Sequence, residues 1–203
     1  MSISLTKGQK ISLTKDNAGL SKIIVGLGWD EAEKSSGGFF GGLFGGSSSS
    51  GESIDCDASA ILLKDGKFVS EKDLVYFGNL HHKSGSVTHM GDNLTGRGDG
   101  DDEQIIINLK DVPADYDKIM IVANIYRAKS KHQHFGMIKN AFIRLVDSST
   151  NTEMCKYNLT DDYSDMTAII FGEVYRHDGE WKFSAIGQGT NDGNLAELGR
   201  RFK

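Results

Sequence analysis

Lys118-Ile-Met-Ile-Val-Ala-Asn-Ile-Tyr-Arg127 is the stretch that decides the fold. It is long, rich in β-branched residues and without helical period, so it reads as a strand. Strand patterns recur on both sides of it. Upstream lie Gln104–Leu109, Leu74–Phe77 and Asp57–Leu63, the last closed by the turn Lys64-Asp-Gly-Lys67. Downstream lie Ala141–Asp147, Glu153–Leu159, Ala168–Arg176 and Trp181–Gly187. The connections are short and rich in Gly, Asp and Asn, and the single proline, Pro113, falls between strands. Only Leu195–Phe202 reads as a short helix. An α/β fold would need helices between the strands, so the pattern predicts an all-β antiparallel sandwich with few short helices.

Further out, the chain opens on an internal echo, Ile3-Ser-Leu-Thr-Lys7 and Ile11-Ser-Leu-Thr-Lys15 around Gly8. Two short strands joined by a turn are expected there. Lys22-Ile-Ile-Val-Gly-Leu-Gly-Trp-Asp30 reads as a strand that ends in a turn at Gly26 and Gly28. The composition then changes. Residues 31–53 contain GGFFGGLFGGSSSSG, a run too rich in Gly and Ser to recover the entropy of ordering. It is expected to be a flexible insertion in a single domain spanning 1–203. Phe39, Phe40, Leu43 and Phe44 admit a second reading, a loop that touches a membrane surface or a partner.

The formal net charge is −5, and there is no basic arm and no Lys/Arg stripe with interleaved aromatics. A phosphate footprint, and with it nucleic-acid binding, is not expected. Cys56 and Cys155 are isolated, without a CxxC neighbour, which points to a reducing compartment and no disulfide framework. MSISLTKGQK has no apolar h-region, and no apolar run approaches the roughly 20 residues of a membrane span. The expectation is a cytoplasmic protein without a transmembrane segment.

The acidic excess is concentrated. Gly91-Asp-Asn-Leu-Thr-Gly-Arg-Gly-Asp-Gly-Asp-Asp-Glu103 carries five acids, Asp92, Asp99, Asp101, Asp102 and Glu103, against one Arg97. Carboxylates packed this closely must be solvated, protonated or bridged by a cation. Gly96, Gly98 and Gly100 let the backbone turn sharply and carbonyls face inward. Oxygen ligands of this kind suit a hard cation, calcium above magnesium, because calcium accepts six to eight oxygens in irregular geometry. The loop is not an EF-hand. Leu94 and Gly96 occupy the places of the third and fifth ligands, Arg97 replaces the turn glycine, and the flanks read as strands. Further acids and amides stand at strand ends. Asp30 closes one strand, Asp55 and Asp57 open another on one face, and Asn79 ends a third.

The segments LTKGQKISLTK, GLGWD (Gly26–Asp30), DCDASAILL (Asp55–Leu63), GDNLTGRGDGDDE and IFGEVYRHDGEWKFSAIGQG (Ile170–Gly189) resemble the TerD family, the tellurite-resistance and general-stress proteins. The resemblance covers nearly the whole chain. It implies a β-sandwich binding about two calcium ions. By resemblance the ligands are Asp99, Asp101, Asp102 and Glu103, then Asp92, Asn93 and Asn79, with Asp30, Asp55 and Asp57 in support and the carbonyls of Gly96 and Gly98 contributing. It also implies partners among other tellurite-resistance or stress proteins, a membrane component included. Arg97 stands where the family often has an acid, and the insertion at 31–53 separates two segments that many relatives join closely.

Other chemistry is less well supported. His132-Gln-His134 could set two imidazoles on one strand face for zinc or copper, but no Cys or acid lies close in sequence. Cys56, between Asp55 and Asp57, should be a poor thiolate. No GxSxG and no P-loop is present. Trp29, Trp181 and Phe183 read as core. The expectation is a non-enzymatic calcium-binding stress protein. Its rivals are a metal-dependent hydrolase using the same carboxylates, and a calcium-regulated interaction module for a membrane or stress-protein partner.

Overall fold

The computed structural model describes residues 2–15, 17–31, 53–91 and 100–203. The long strand of the opening argument is β8, Lys118–Ile125. Among the described residues eleven other strands surround it: β1 Ile3–Leu5, β2 Lys10–Ser12, β3 Lys22–Glu31, β4 Cys56–Leu63, β5 Leu74–Val75, β6 Val87–His89, β7 Glu103–Asn108, β9 Ile138–Asp147, β10 Thr152–Asn158, β11 Ala168–His177 and β12 Glu180–Thr190. They form two six-stranded sheets, one in the order β1-β10-β9-β3-β7-β6 and the other β2-β12-β11-β8-β4-β5. Every pairing is antiparallel except β1 with β10. The predicted all-β sandwich with few helices is what forms. Helix α1 is Ala128–Lys131 and α2 is Leu195–Gly199, the latter continued by a 3-10 turn to Phe202.

Alternation places the core. Ile23, Val25 and Leu27 of β3, Ile105 and Ile107 of β7, Ala58, Ala60 and Leu62 of β4, and Ile119 and Ile121 of β8 share one buried cluster between the sheets. Trp29, Trp181 and Phe183 belong to it, as expected. The opposite face of the β4–β8 sheet is also apolar. Ile61, Leu63, Met120 and Val122 meet Phe68, Leu74 and Leu198 there, so the C-terminal helix packs on the outside of that sheet.

Two local expectations are corrected. The first two strands do not pair as a hairpin. Gly8, at φ 81°, sends β1 to one sheet and β2 to the other, so the echo stitches the two sheets together. Gly26 and Gly28 do not end a strand, because β3 runs through both to Glu31. The reason, given below, is what lies on them. Strand β6, Val87–His89, is too short to have been read from its alternation. The turn Lys64–Lys67 is as expected: Asp65 and Gly66 take positive φ and the ends exchange backbone hydrogen bonds. Among the described residues no helix is long and apolar enough to cross a membrane. The insertion expected at 31–53 falls outside the described residues, apart from its two ends.

Candidate metal centre

The outward row of β3 is Ile24, Gly26, Gly28 and Asp30. In register, Gly26 lies between Gln104 of β7 and Arg144 of β9, and Gly28 lies beside Phe142. Residues 100–102 fold back over this row. A Cβ on Gly26 would fall inside the Asp101 carboxylate, and one on Gly28 would meet the Phe142 ring at 2.5 Å and the Gly100 carbonyl oxygen at 2.6 Å. The two glycines thus leave a trough in the sheet face that receives the end of the acidic loop. Backbone bonds fix it there. Asp102 N–H donates to Leu27 O at 2.8 Å, and Trp29 N–H donates to the Asp102 carboxylate at 2.8 Å.

The acids predicted as ligands take different environments. Asp101 has a side chain only 2% exposed. It accepts from Arg144 at 2.6 and 3.1 Å and from Gln104 at 2.9 Å. Its carboxylate is held by a two-pronged guanidinium contact over Gly26. Glu103 turns the other way, between the sheets. It accepts the Ala58 N–H at 2.5 Å and lies 3.4 Å from His89 Nε2, with both side chains fully buried. His89 Nδ1 accepts from Gly91 N–H, so Nε2 carries the proton and donates toward Glu103 and Ala58 O. β5 reaches only Ala60 and Ile61 of β4, and this pair covers the edge of β4 beyond them.

Asp102 and Asp30 remain together. Both line a cavity of about 530 Å³ whose other oxygen-bearing side chains are Asn140, Asn158 and Thr160. Asn140 Nδ2 donates to Asp30 at 2.7 Å. Burial raises the Asp102 carboxyl above the usual carboxylate range. The Trp29 N–H works against this, and the charges of Asp30 and Asp101 add to it. Lys156 also borders the cavity, and the oxygen donors around two mutually repelling carboxylates fit a hard cation. Among the described residues no three His, Cys, Asp or Glu side chains gather at metal-binding spacing, so amide and hydroxyl oxygens would have to complete the shell. Asn140, Asn158 and Thr160 were not read as candidates from the sequence. The one unusual mark, the left-handed backbone of Asn140 at φ 54°, is not visible there.

The remaining candidates are placed as follows. Asp55 and Asp57 flank Cys56 at the start of β4. The Cys56 thiol is pushed far up by burial first, then by the charges of Asp57, Asp55, Glu103 and Asp102, so these acids do converge electrostatically on one end of the sandwich. It is the poor thiolate expected. Asp57 itself is 2% exposed and borders a different cavity, on the outer face of the β4–β8 sheet. Asn79 donates its amide to Leu74 O at 2.6 Å and closes the turn Tyr76–Asn79. Asp92, Asn93, Gly96, Gly98 and Asp99 lie outside the described residues.

A second buried polar cluster was not legible in the sequence. Asp73 accepts from Tyr116 Oη at 2.6 Å, from Lys83 Nζ at 3.1 Å and from His82 Nε2 at 3.3 Å. Burial lowers the His82 pKa below its ordinary value, with Asp73 opposing. Burial raises Asp73, but its three donors outweigh that and hold it below the usual range. Both folded-state values lie below the unfolded ones, so below about 6.5 the unfolded chain takes up a proton at His82 that the native chain resists. Stability should be level above that pH and fall as the pH drops, with a further loss below about 3.8 as Asp73 protonates. Urea midpoints at pH 7.5, 6.0 and 5.0 should show this slope, and His82→Gln should flatten it between 6.5 and 5. Equal slopes in both proteins would exclude His82 as its source.

Two stacked sheets with an acid-bearing segment seated across one outer face define a class of acidic β-sandwich proteins. The TerD domain model matches residues 1–202. The chain belongs to the TerD family. It is 55% identical over 202 residues to the stress response protein SCP2 of Bacillus subtilis (strain 168), with 100% of both chains covered. It is 46% identical over 194 residues to the tellurium resistance protein TerD of Serratia marcescens, covering 95% of this chain and 93% of that one. A crystal structure of a Streptomyces coelicolor A3(2) homologue of telluride resistance protein (TerD) superposes with a TM-score of 0.63 at 18% identity, over 88% of this chain and 95% of that one, and shares the fold.

Proposed function

We propose that the chain is a non-enzymatic calcium-binding protein of a stress or tellurium-resistance response. The carrying observation is the pair Asp30 and Asp102, which face one oxygen-lined cavity while burial and like charge raise the Asp102 carboxyl. A bound cation would relieve both penalties at once. On this reading Asp30, Asp102 and the oxygens of Asn140, Asn158 and Thr160 hold one ion. The carboxylates of Asp92 and Asp99, the amide of Asn93 and the carbonyls of Gly96 and Gly98 complete the shells. Asp101 acts through Arg144 as a brace for the loop, and Glu103 as a brace between the sheets. The chemistry calcium supplies is charge neutralisation and loop ordering. The names of the relatives support the stress and tellurium context.

The hydrolase alternative would have to draw its base from the two carboxylates that the metal reading uses as ligands, and Cys56 offers no nucleophile, being buried with its thiol far above the thiolate range. Titration calorimetry of the chelator-treated full chain with calcium is the test. Heat of binding and a rise in Tm with calcium are expected, because a ligand of the native state alone stabilises it by mass action. An absence of heat at millimolar calcium would overturn the reading. Recovery of stress-protein or membrane partners only in calcium would add the interaction role.

A further inference from the structure

The outer face of the β4–β8 sheet holds a cavity of about 710 Å³. Its buried side is Phe68 and Leu74, with the half-buried Leu195, all from the cluster that packs the C-terminal helix on this sheet. Its open side is apolar too. Val69, Phe77 and Tyr126 line it at 59%, 40% and 43% exposure. These are three of the seven large hydrophobic side chains that stand exposed among the described residues, gathered in one place. Phe77 and Tyr126 meet edge to face, with centroids 6.3 Å apart. An apolar surface concentrated in this way marks a place where something docks. The charged lining is mixed: exposed Glu71 and buried Asp57 stand against Arg127, Arg200 and Lys203. Such a lining selects neither an anion nor a cation, so the part of the ligand that is recognised is apolar and uncharged.

The chain itself contains a segment of this character. Residues 35–51 carry no charged side chain, and their large apolar side chains are Phe39, Phe40, Leu43 and Phe44, set among Gly and Ser. Residues 32–52 lie outside the described residues, and the chain returns from them beside the cavity. Ser53 O accepts from Gln133 Nε2 at 3.3 Å, and Asp55 O accepts from Tyr126 N–H at 2.8 Å. The returning backbone is thus held against the residue that forms the aromatic rim. Phe44 precedes Ser53 by nine residues. A Gly/Ser tether of that length spans about 30 Å at most, with a root-mean-square reach of about 15–18 Å. Tyr126 bonds the chain only two residues beyond Ser53, so the rim is well within reach. We propose that Phe39, Phe40, Leu43 and Phe44 dock in this cavity within the same molecule. The driving force is removal of the apolar rim and of these side chains from water. Held on so short a tether, the segment meets the cavity at an effective concentration of about millimolar, about a thousandfold above that of a second copy at micromolar protein. The site is independent of the calcium reading, because it lies on the other sheet and shares no lining residue with the cavity of Asp30 and Asp102.

The test uses the full chain in chelator and a four-serine variant carrying Phe39→Ser, Phe40→Ser, Leu43→Ser and Phe44→Ser. A synthetic peptide of residues 34–52 is titrated into both by calorimetry. It should bind the variant at submillimolar concentration and the wild type about tenfold or more weakly, because there the tethered segment already fills the cavity. Adding Phe77→Ser and Tyr126→Ser to the variant should abolish peptide binding. Both side chains are exposed, so circular dichroism should show the fold kept. Hydroxyl-radical footprinting should find Phe77 and Tyr126 oxidised several-fold faster in the four-serine variant than in the wild type, with exposed His177, at the far end of β11, unchanged. No binding of the peptide to the four-serine variant at millimolar concentration would overturn the proposal. So would equal affinity for both proteins, binding that survives the rim substitutions, or an unchanged footprint. A dimer present in the wild type and lost in the four-serine variant would place the segment on a second copy. Phosphatidylcholine vesicles bound by the wild type alone, with no change in the footprint, would place it on a lipid surface. Either result would also overturn docking within one molecule.

Discussion

Gly26→Ala should be among the most damaging single-methyl additions this chain can suffer. The new Cβ would occupy the position of the Asp101 carboxylate. That carboxylate cannot simply step aside. It is buried, gripped twice by Arg144 and once by Gln104, and joined through one peptide bond to Asp102, which is itself tied to Leu27 and Trp29. Lifting the segment breaks the half-buried Arg144–Asp101 contact, and losing charged hydrogen bonds of this kind costs on the order of 1.5–3 kcal/mol. At about 2–4 °C per kcal/mol for a chain of this size, Tm should fall by about 3–12 °C. Calcium affinity should fall with it, because Asp102 leaves the cavity it shares with Asp30. Gly28→Ala should act in the same direction through Phe142 and the Gly100 carbonyl. Gly19→Ala is the control. Nothing lies within 4 Å of its added Cβ, and its change should stay within about 0.5 kcal/mol. Thermal melts of the three variants with and without calcium decide the matter. A Gly26→Ala protein as stable as Gly19→Ala would mean that the loop end does not rest on the sheet.

This trough also shows what could be read from the residues and what could not. Alternation and β-branching in Lys118–Arg127 and its neighbours specify strands, since each strand must bury one face, and the sandwich follows. The acidic loop announces itself by charge density alone. The spacing of Gly26 and Gly28 is also in the sequence, but the same two glycines serve a turn or a trough equally well. Only the packing of residues 100–102 on them distinguishes the two. The fate of each acid is set by neighbours distant in the chain. Arg144 claims Asp101, Ala58 and His89 claim Glu103, and Asn140, Asn158 and Thr160 come from strand ends that carry no mark of a site. Equivalent carboxylates in one run acquire different roles because period-two alternation sends Asp102 and Glu103 to opposite faces of their sheet. Likewise the bond of His82 to Asp73 joins the chain on either side of the turn Tyr76–Asn79, which local pattern does not reveal.

Asp102→Asn should separate the calcium reading from a purely structural role more sharply than any other substitution. In the metal-free protein Asp102 has a folded-state pKa above its unfolded value. The sign follows directly. Its ionised form costs stability, the cost is absent below about 3.8, and it is fully present once the pH exceeds the folded value. Asparagine removes the charge and keeps an oxygen for the Trp29 N–H. Metal-free Asp102→Asn should therefore be at least as stable as the wild type at pH 7. Calcium should reverse the order. At a hundredfold excess over Kd the wild type gains about 2.7 kcal/mol, or about 5–11 °C in Tm, while the variant gains little. Asp101→Asn supplies the contrast. It leaves Arg144 only the longer contact to Glu153 and should lower Tm whether or not calcium is present. Melting curves of the three proteins in chelator and in calcium test the crossing. Parallel gains in wild type and Asp102→Asn would remove Asp102 from the site. No gain in either would remove calcium, and the repulsion between Asp30 and Asp102 would then need another counter-charge, of which the cavity's own Lys156 is the first candidate.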